Sequence, residues 1–241
     1  MTEEISNPRE GARPFSMLAE CIATMAVVFA SSLAACQVSS KTLGPLDAAV
    51  AVGAVTTAAL LGSARRSPGL ANPGVLFALF AIGRLSVGAF LRLLASQLFG
   101  AVMGASLARG FVSPDILFVA RGGAPHWTTH SSAPVAMVAE LIAGFVLLWS
   151  LLGTTELRLS PRDDVKSIWS RPEYSAVVSG LLAISFRLLF SGGAGAVMNP
   201  ACSFGPALVG GFWQGQAIYW LGPLAGAMFA AVAWNVCFRP R

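Results

Sequence analysis

Charge is what this sequence has least of. Only 11% of its 241 residues are Asp, Glu, Lys or Arg, against 55% that are apolar. A soluble chain needs more charge than this to cover its surface, so lipid must be part of its solvent. Histidine is scarcer: His126 and His130 lie four apart in a polar stretch, with no Cys or carboxylate near enough to complete a metal site. The four cysteines, Cys21, Cys36, Cys202 and Cys237, show no CxxC spacing, and two sit inside long apolar runs. This argues against a disulfide framework or a zinc site. No cluster of nucleophile, base and metal ligands is visible, which argues against a membrane enzyme. The midplane charges that an ion-coupled transporter wants are missing as well. No cofactor is expected. The N-terminus carries Glu3, Glu4, Arg9, Glu10 and Arg13 and no short apolar stretch with a cleavage site, so the first apolar segment is expected to stay in the mature protein. A net charge of +5 would suit nucleic acid, but the basic residues are scattered among apolar segments and read better as topology signals.

What the chain has in abundance is apolar length. About 20 residues are needed to cross the hydrocarbon as a helix, and six stretches come near that: 15–37, 46–63, 85–109, 134–154, 174–190 and 214–238. Two apolar stretches, 70–83 and 197–210, are too short to span, and each carries Asn-Pro near its start. Backbone at membrane depth must be hydrogen-bonded, so a short segment there has to be a helix buried within protein. The expected fold is an all-α membrane protein of six transmembrane helices and two half-spanning re-entrant helices. With the N-terminus inside, one side receives Arg9, Arg13, Arg65, Arg66, Arg84, Arg158, Arg162, Lys166, Arg171, Arg239 and Arg241, and the other only Lys41, Arg109 and Arg121. The positive-inside rule then places both termini in the cytoplasm.

The two halves echo one another. Ala19-Glu20-Cys21-Ile22-Ala23 returns as Ala139-Glu140-Leu141-Ile142-Ala143, and Asn72-Pro73 as Asn199-Pro200. Offsets of 120 and 127 residues describe one duplicated unit, repeat one at about 15–109 and repeat two at about 134–238, joined by the loop 110–133 into a single domain over 1–241. Three spans per unit is odd, so the second copy enters from the opposite face. The result is an inverted repeat whose shared site lies near the midplane. Glu20 and Glu140 are intramembrane carboxylates, costly unless they have a task. With no titratable partner in view, they are read as acceptors for backbone N–H groups of the adjacent broken segments rather than as proton relays.

Proline suits the first position of a helix, and asparagine before it is a strong N-cap. The asparagine oxygen takes a bond from the first turn, and its amide hydrogens are expected to stay free and face a lumen. Two such helices meeting head to head bring two positive dipole ends and two donor groups to the midplane. A water that accepts from both cannot continue a proton wire, and the positive ends repel cations. One Asn-Pro pair is weak evidence, since such pairs are common in turns; two in a duplicated six-span chain are strong evidence.

These residues resemble the aquaporin (major intrinsic protein) family. Asn199-Pro200-Ala201-Cys202-Ser203-Phe204-Gly205-Pro206-Ala207 is similar to that family's Asn-Pro-Ala-Arg-Ser-Phe-Gly-Pro-Ala, with cysteine in place of arginine. Tyr219-Trp220-Leu221-Gly222-Pro223 resembles the start of its last helix, and Gln97, Gly100 and Ala101 its third. The resemblance covers roughly residues 15–238. It implies a right-handed bundle, usually tetrameric, with a pore in each subunit that passes water or small neutral solutes. The first motif departs from the pattern as Asn72-Pro73-Gly74. Glycine there weakens the half-helix by up to about 1 kcal/mol relative to alanine, unless close packing requires it. Altered first motifs resemble the family's intracellular branches, so plasma and intracellular membranes both stay open.

The resemblance also implies a selectivity filter at Val52, Arg187, Ala196 and Cys202. The family's filter arginine is missing at Cys202, and Arg187 stands where a family segment carries histidine. One reading is that Arg187 substitutes for the missing guanidinium; the other is that it snorkels to the headgroups. Cys202 is either a thiol lining the pore, open to mercurials, or a small gap-filler. Ser203, where glycerol-conducting members usually carry aspartate, favours water. Val52 and Ala196 are small and widen the constriction unless Arg187 fills it, which keeps glycerol, ammonia, urea and hydrogen peroxide open. A structural protein with a closed pore is the reading of another class. Ser31, Ser32 and Thr24 read as packing residues or backbone bonders, as do the small residues at Gly100, Gly104, Gly222 and Gly226. The loop 110–133 is expected to cap the outer vestibule, and Arg158 to Arg171 to form a basic inner loop facing anionic lipid or a regulator.

Overall fold

The computed structural model describes residues 14–64, 66–67, 69–156, 172–193 and 195–238. Its long helices are α1 (Pro14–Ser39), α2 (Pro45–Ser63), α4 (Val87–Arg109), α6 (Ala133–Glu156), α7 (Pro172–Leu189) and α9 (Gln216–Phe238). Between them lie three short ones, α3 (Pro73–Ala81), α5 (Pro114–Val119) and α8 (Ala201–Gly210). Proline occupies the first turn of α2, α3 and α5, where its missing N–H costs nothing. Ser86 caps α4 by accepting from the Ala89 N–H at 3.2 Å.

Six helices cross and two stop half-way. Six crossings return the chain to the face it started from, here called the near face, so α3 dips in from the near face and α8 from the far one. Five of the crossings are long and apolar enough to be recognised by composition alone. The sixth, α7, has 18 residues and carries Glu173 in its first turn and Arg187 in its last; its place in the bundle comes from packing on α2 and α6.

Glycine sets how closely the helices pack. A Cβ on Gly100 or Gly104 of α4 would strike the carbonyl oxygens of Cys21 or Met25 on α1. On α9, one on Gly226 would strike the Leu141 carbonyl, and one on Gly222 would come within 2.6 Å of the Glu140 Cβ. The α1–α4 and α6–α9 seams therefore use one device 122 residues apart, letting backbones touch where lipid offers no hydrophobic drive for association. Large apolar side chains such as Leu91, Phe99, Leu221 and Phe229 turn outward, as a surface solvated by lipid requires.

The stretch 110–133 holds more structure than a loop, namely α5 and a 3-10 turn at Arg121–Gly123. It is tied to the α7–α8 connection by the Thr128 N–H, which donates to the Gly193 carbonyl at 2.9 Å. The basic stretch from Arg158 to Arg171 lies outside the described residues, as do Arg9, Arg13, Arg65, Arg239 and Arg241.

Candidate functional site

The two short helices meet nose to nose. Pro73 and Pro200 are fully buried, and a Cβ placed on Gly74 would lie 3.6 Å from Pro200 Cδ. On α3, Asn72 Oδ1 accepts from the Gly74 N–H at 2.9 Å and the Val75 N–H at 3.4 Å. The helix α8 begins one residue later, and Asn199 Oδ1 accepts from the Ala201 N–H at 3.0 Å.

The expectation that both asparagine amides stay wholly free is corrected here. Asn72 Nδ2 donates to the Met198 carbonyl at 2.9 Å, and Asn199 Nδ2 donates to the Ala71 carbonyl at 2.8 Å. Each asparagine thus fastens itself to the residue preceding the other, spending one amide hydrogen and leaving one for a molecule in the lumen. The carbonyls can be offered this way because Ala71 and Met198 are left-handed, with φ of 41° and 59°. That conformation costs a side-chain-bearing residue roughly 1–2 kcal/mol.

The same two residues are held from behind by the buried carboxylates. Glu20 Oε1 accepts from Ser67 Oγ at 2.6 Å and the Leu70 N–H at 2.9 Å. Its Oε2 accepts from the Ala71 N–H and from Gln97 Nε2, both at 2.8 Å. Glu140 accepts from the Val197 N–H at 2.7 Å and the Met198 N–H at 2.9 Å. A carboxylate with no solvent exposure is tolerated when donors surround it. The position matching Gln97 in the second half is Tyr219, 122 residues on. Its buried hydroxyl has no hydrogen-bond partner among the described residues.

A narrow cavity runs past the paired asparagines. Its wall follows the repeat. Val27 and Leu147 line it 120 residues apart; Val52 and Ser179, Thr56 and Ala183, Leu60 and Arg187, Val75 and Cys202, and Asn72 and Asn199 line it 127 apart. The two ends differ in chemistry. Leu60 and Leu151 line the near end, whereas Val52, Arg187 and Cys202 line the far end. Ala196 is buried at 1% exposure and is not in this wall among the described residues. Ser203 is fully buried and donates to Gln216 Oε1 at 2.7 Å, away from the cavity.

Sequence reasoning missed Ser31. Read as a packing residue or backbone bonder, it instead accepts a hydrogen bond from Arg187 Nη2 at 2.7 Å, across 156 residues. It also neighbours the Cys202 thiol. No local signal marks it, because the pairing exists only once α1 and α7 stand around one lumen. By repeat position Ser31 matches Leu151, which lines the opposite end of the same cavity, so the duplication alone could have placed it near the wall.

The family model described as "Major intrinsic protein" matches residues 12–234. The chain is 33% identical to aquaporin-4 of Bos taurus over 177 residues, covering 72% of this chain and 50% of that protein. It is 32% identical to aquaporin TIP1-2 of Zea mays over 237 residues, covering 92% of this chain and 85% of that protein. It therefore spans about half the length of aquaporin-4 and most of the maize relative. The X-ray structure of the aquaglyceroporin from Plasmodium falciparum superposes with a TM-score of 0.76 over 92% of this chain and 96% of that one. At 19% identity this likeness shows the fold.

Proposed function

The chain belongs to the major intrinsic protein family, and from that premise we propose that it is a passive channel, not an enzyme, carrying water through the cavity beside Asn72 and Asn199. The observation that carries the reading is the reciprocal pair of asparagine bonds, which sets two capped helix starts on one lumen with one amide hydrogen each to offer. A water passing there donates outward on both sides while accepting from the asparagines, so the proton wire is interrupted. The positive ends of α3 and α8 add a barrier to cations. Asn72, Pro73 and Gly74 with Asn199, Pro200 and Ala201 form this midplane station, and Glu20 and Glu140 hold it from behind.

Selection is assigned to the far mouth. Arg187 provides fixed positive charge and several donors beside Val52 and Cys202, with the buried Ala196 contributing volume rather than surface. Its bond inward to Ser31 favours the filter reading over snorkelling to headgroups. The sequence's count of eleven basic residues in the segments on the side of the termini, Arg66 and Arg84 among them, against Lys41, Arg109 and Arg121 on the other, supports cytoplasmic termini. The apolar outer faces fit assembly as a homotetramer within the bilayer; cross-linking in membranes reports that count.

The test is osmotic. Proteoliposomes holding the full chain are expected to shrink in hypertonic sucrose much faster than empty vesicles, with no added proton leak. Shrinkage no faster than that of empty vesicles rejects the channel in favour of a closed structural protein. Isotonic glycerol in the same vesicles reports whether the filter admits a larger neutral solute.

A further inference from the structure

Arg187 lines the far end of the cavity, and its Nη2 reaches a residue that the lining does not include. The helix α1 packs on α2 and α4, whereas α7 packs on α2 and α6. The Arg187–Ser31 bond therefore joins two helices that both pack on α2, the helix whose Val52 lines the same cavity as Arg187. Ser31 is 4% exposed and lies behind the lining, while the arginine that reaches it lies in the lining. We propose that Ser31 is the positioning residue of the filter. Its hydroxyl fixes the Arg187 guanidinium across the far mouth, and this bond, more than the size of the wall residues, keeps solutes larger than water out.

This rests on Arg187 being the filter cation, and three features of the site support it. Arginine carries five donors on a long, rotamer-rich side chain, so an acceptor on another helix is needed to fix its guanidinium in one orientation. Ser31 supplies that acceptor from a buried site where competing water is scarce, which strengthens the bond. Val52 is the third part. It lines the same cavity as Arg187 and, being small, takes up little of the space beside the guanidinium. At the matching place in the other half stand Leu60 and Leu151, which offer neither charge nor acceptor, so selection by this device exists at one end only.

The experiment compares wild type, Ser31→Ala, Ser31→Cys, Ser31→Thr, Arg187→Ala and the Ser31→Ala/Arg187→Ala double variant in proteoliposomes, reading the ratio of glycerol to water permeability. Ser31→Ala and Ser31→Cys are expected to raise the ratio severalfold, Ser31→Thr to keep it near wild type, and the double variant to match Arg187→Ala, since both changes act through one group. If Arg187→Ala raises the ratio and neither Ser31→Ala nor Ser31→Cys does, positioning by Ser31 is overturned and the filter stands. A ratio unmoved by Arg187→Ala overturns the filter and this inference together. Additive effects in the double variant, or a threonine variant that behaves like alanine, also overturn it. Should Ser31→Ala assemble poorly, the near-isosteric Ser31→Cys decides.

Discussion

Glu20 and Glu140 are buried acids held in place by donors that have nowhere else to go. Changing either to glutamine replaces an accepting oxygen with a donating nitrogen. At Glu20, Gln97 can turn its amide to follow, because its Oε1 has no partner, but the Ala71 N–H cannot turn. At Glu140 the stranded donor is the N–H of Val197 or Met198. One buried orphan donor costs about 1–3 kcal/mol, and here the donor sits on or beside a left-handed residue that already carries strain. Both Glu20→Gln and Glu140→Gln are therefore expected to lower the unfolding midpoint in detergent and to reduce osmotic water flow. A midpoint equal to wild type would separate these carboxylates from the half-helix starts.

Among the elements, the seams α1–α4 and α6–α9 depend on missing side chains. A methyl group at Gly226 meets the Leu141 carbonyl and lies 2.7 Å from the Phe145 nitrogen, both backbone, so the helices must part. Overpacking of this kind costs roughly 1–3 kcal/mol. Gly62, near the end of α2, has nothing within 4 Å of its added Cβ, so alanine there raises helix stability by up to about 1 kcal/mol. Gly226→Ala is expected to unfold earlier than wild type in detergent, and Gly62→Ala no earlier. Gly74 falls between: its added Cβ would lie 3.2 Å from the capping Asn72 Oδ1, tight against a single side-chain atom. Close packing therefore requires glycine at the α4 and α9 seams more than at the first Asn-Pro motif.

For the whole molecule, topology and architecture were legible because each followed from a physical sum over many residues. Apolar length marked all six crossings, the two short runs could only be buried helices, and the duplicated Ala-Glu and Asn-Pro segments set the inversion. The stretch 174–190 was read as a crossing with the rest, although Glu173 and Arg187 make α7 less apolar than the other five. The candidate site was legible only in part. Motif spacing brought Asn72 and Asn199 to attention, but their bonds to Met198 and Ala71 span 126 and 128 residues and depend on two left-handed residues with no sequence mark. Ser31 was missed for the same reason. Placement of the chain ends is checked by labelling: a cysteine appended at either end is expected to resist an impermeant thiol reagent applied to intact cells and to react once they are lysed.

The crossed asparagine bonds also bear on regulation. Each half of the molecule grips the other at its centre, so the waist behaves as a rivet and cannot widen or pinch without breaking two buried bonds at once. Any valve in this protein must therefore work at the ends of the passage, where the Arg187 guanidinium is tied to Ser31 by one hydroxyl bond instead of two crossed ones.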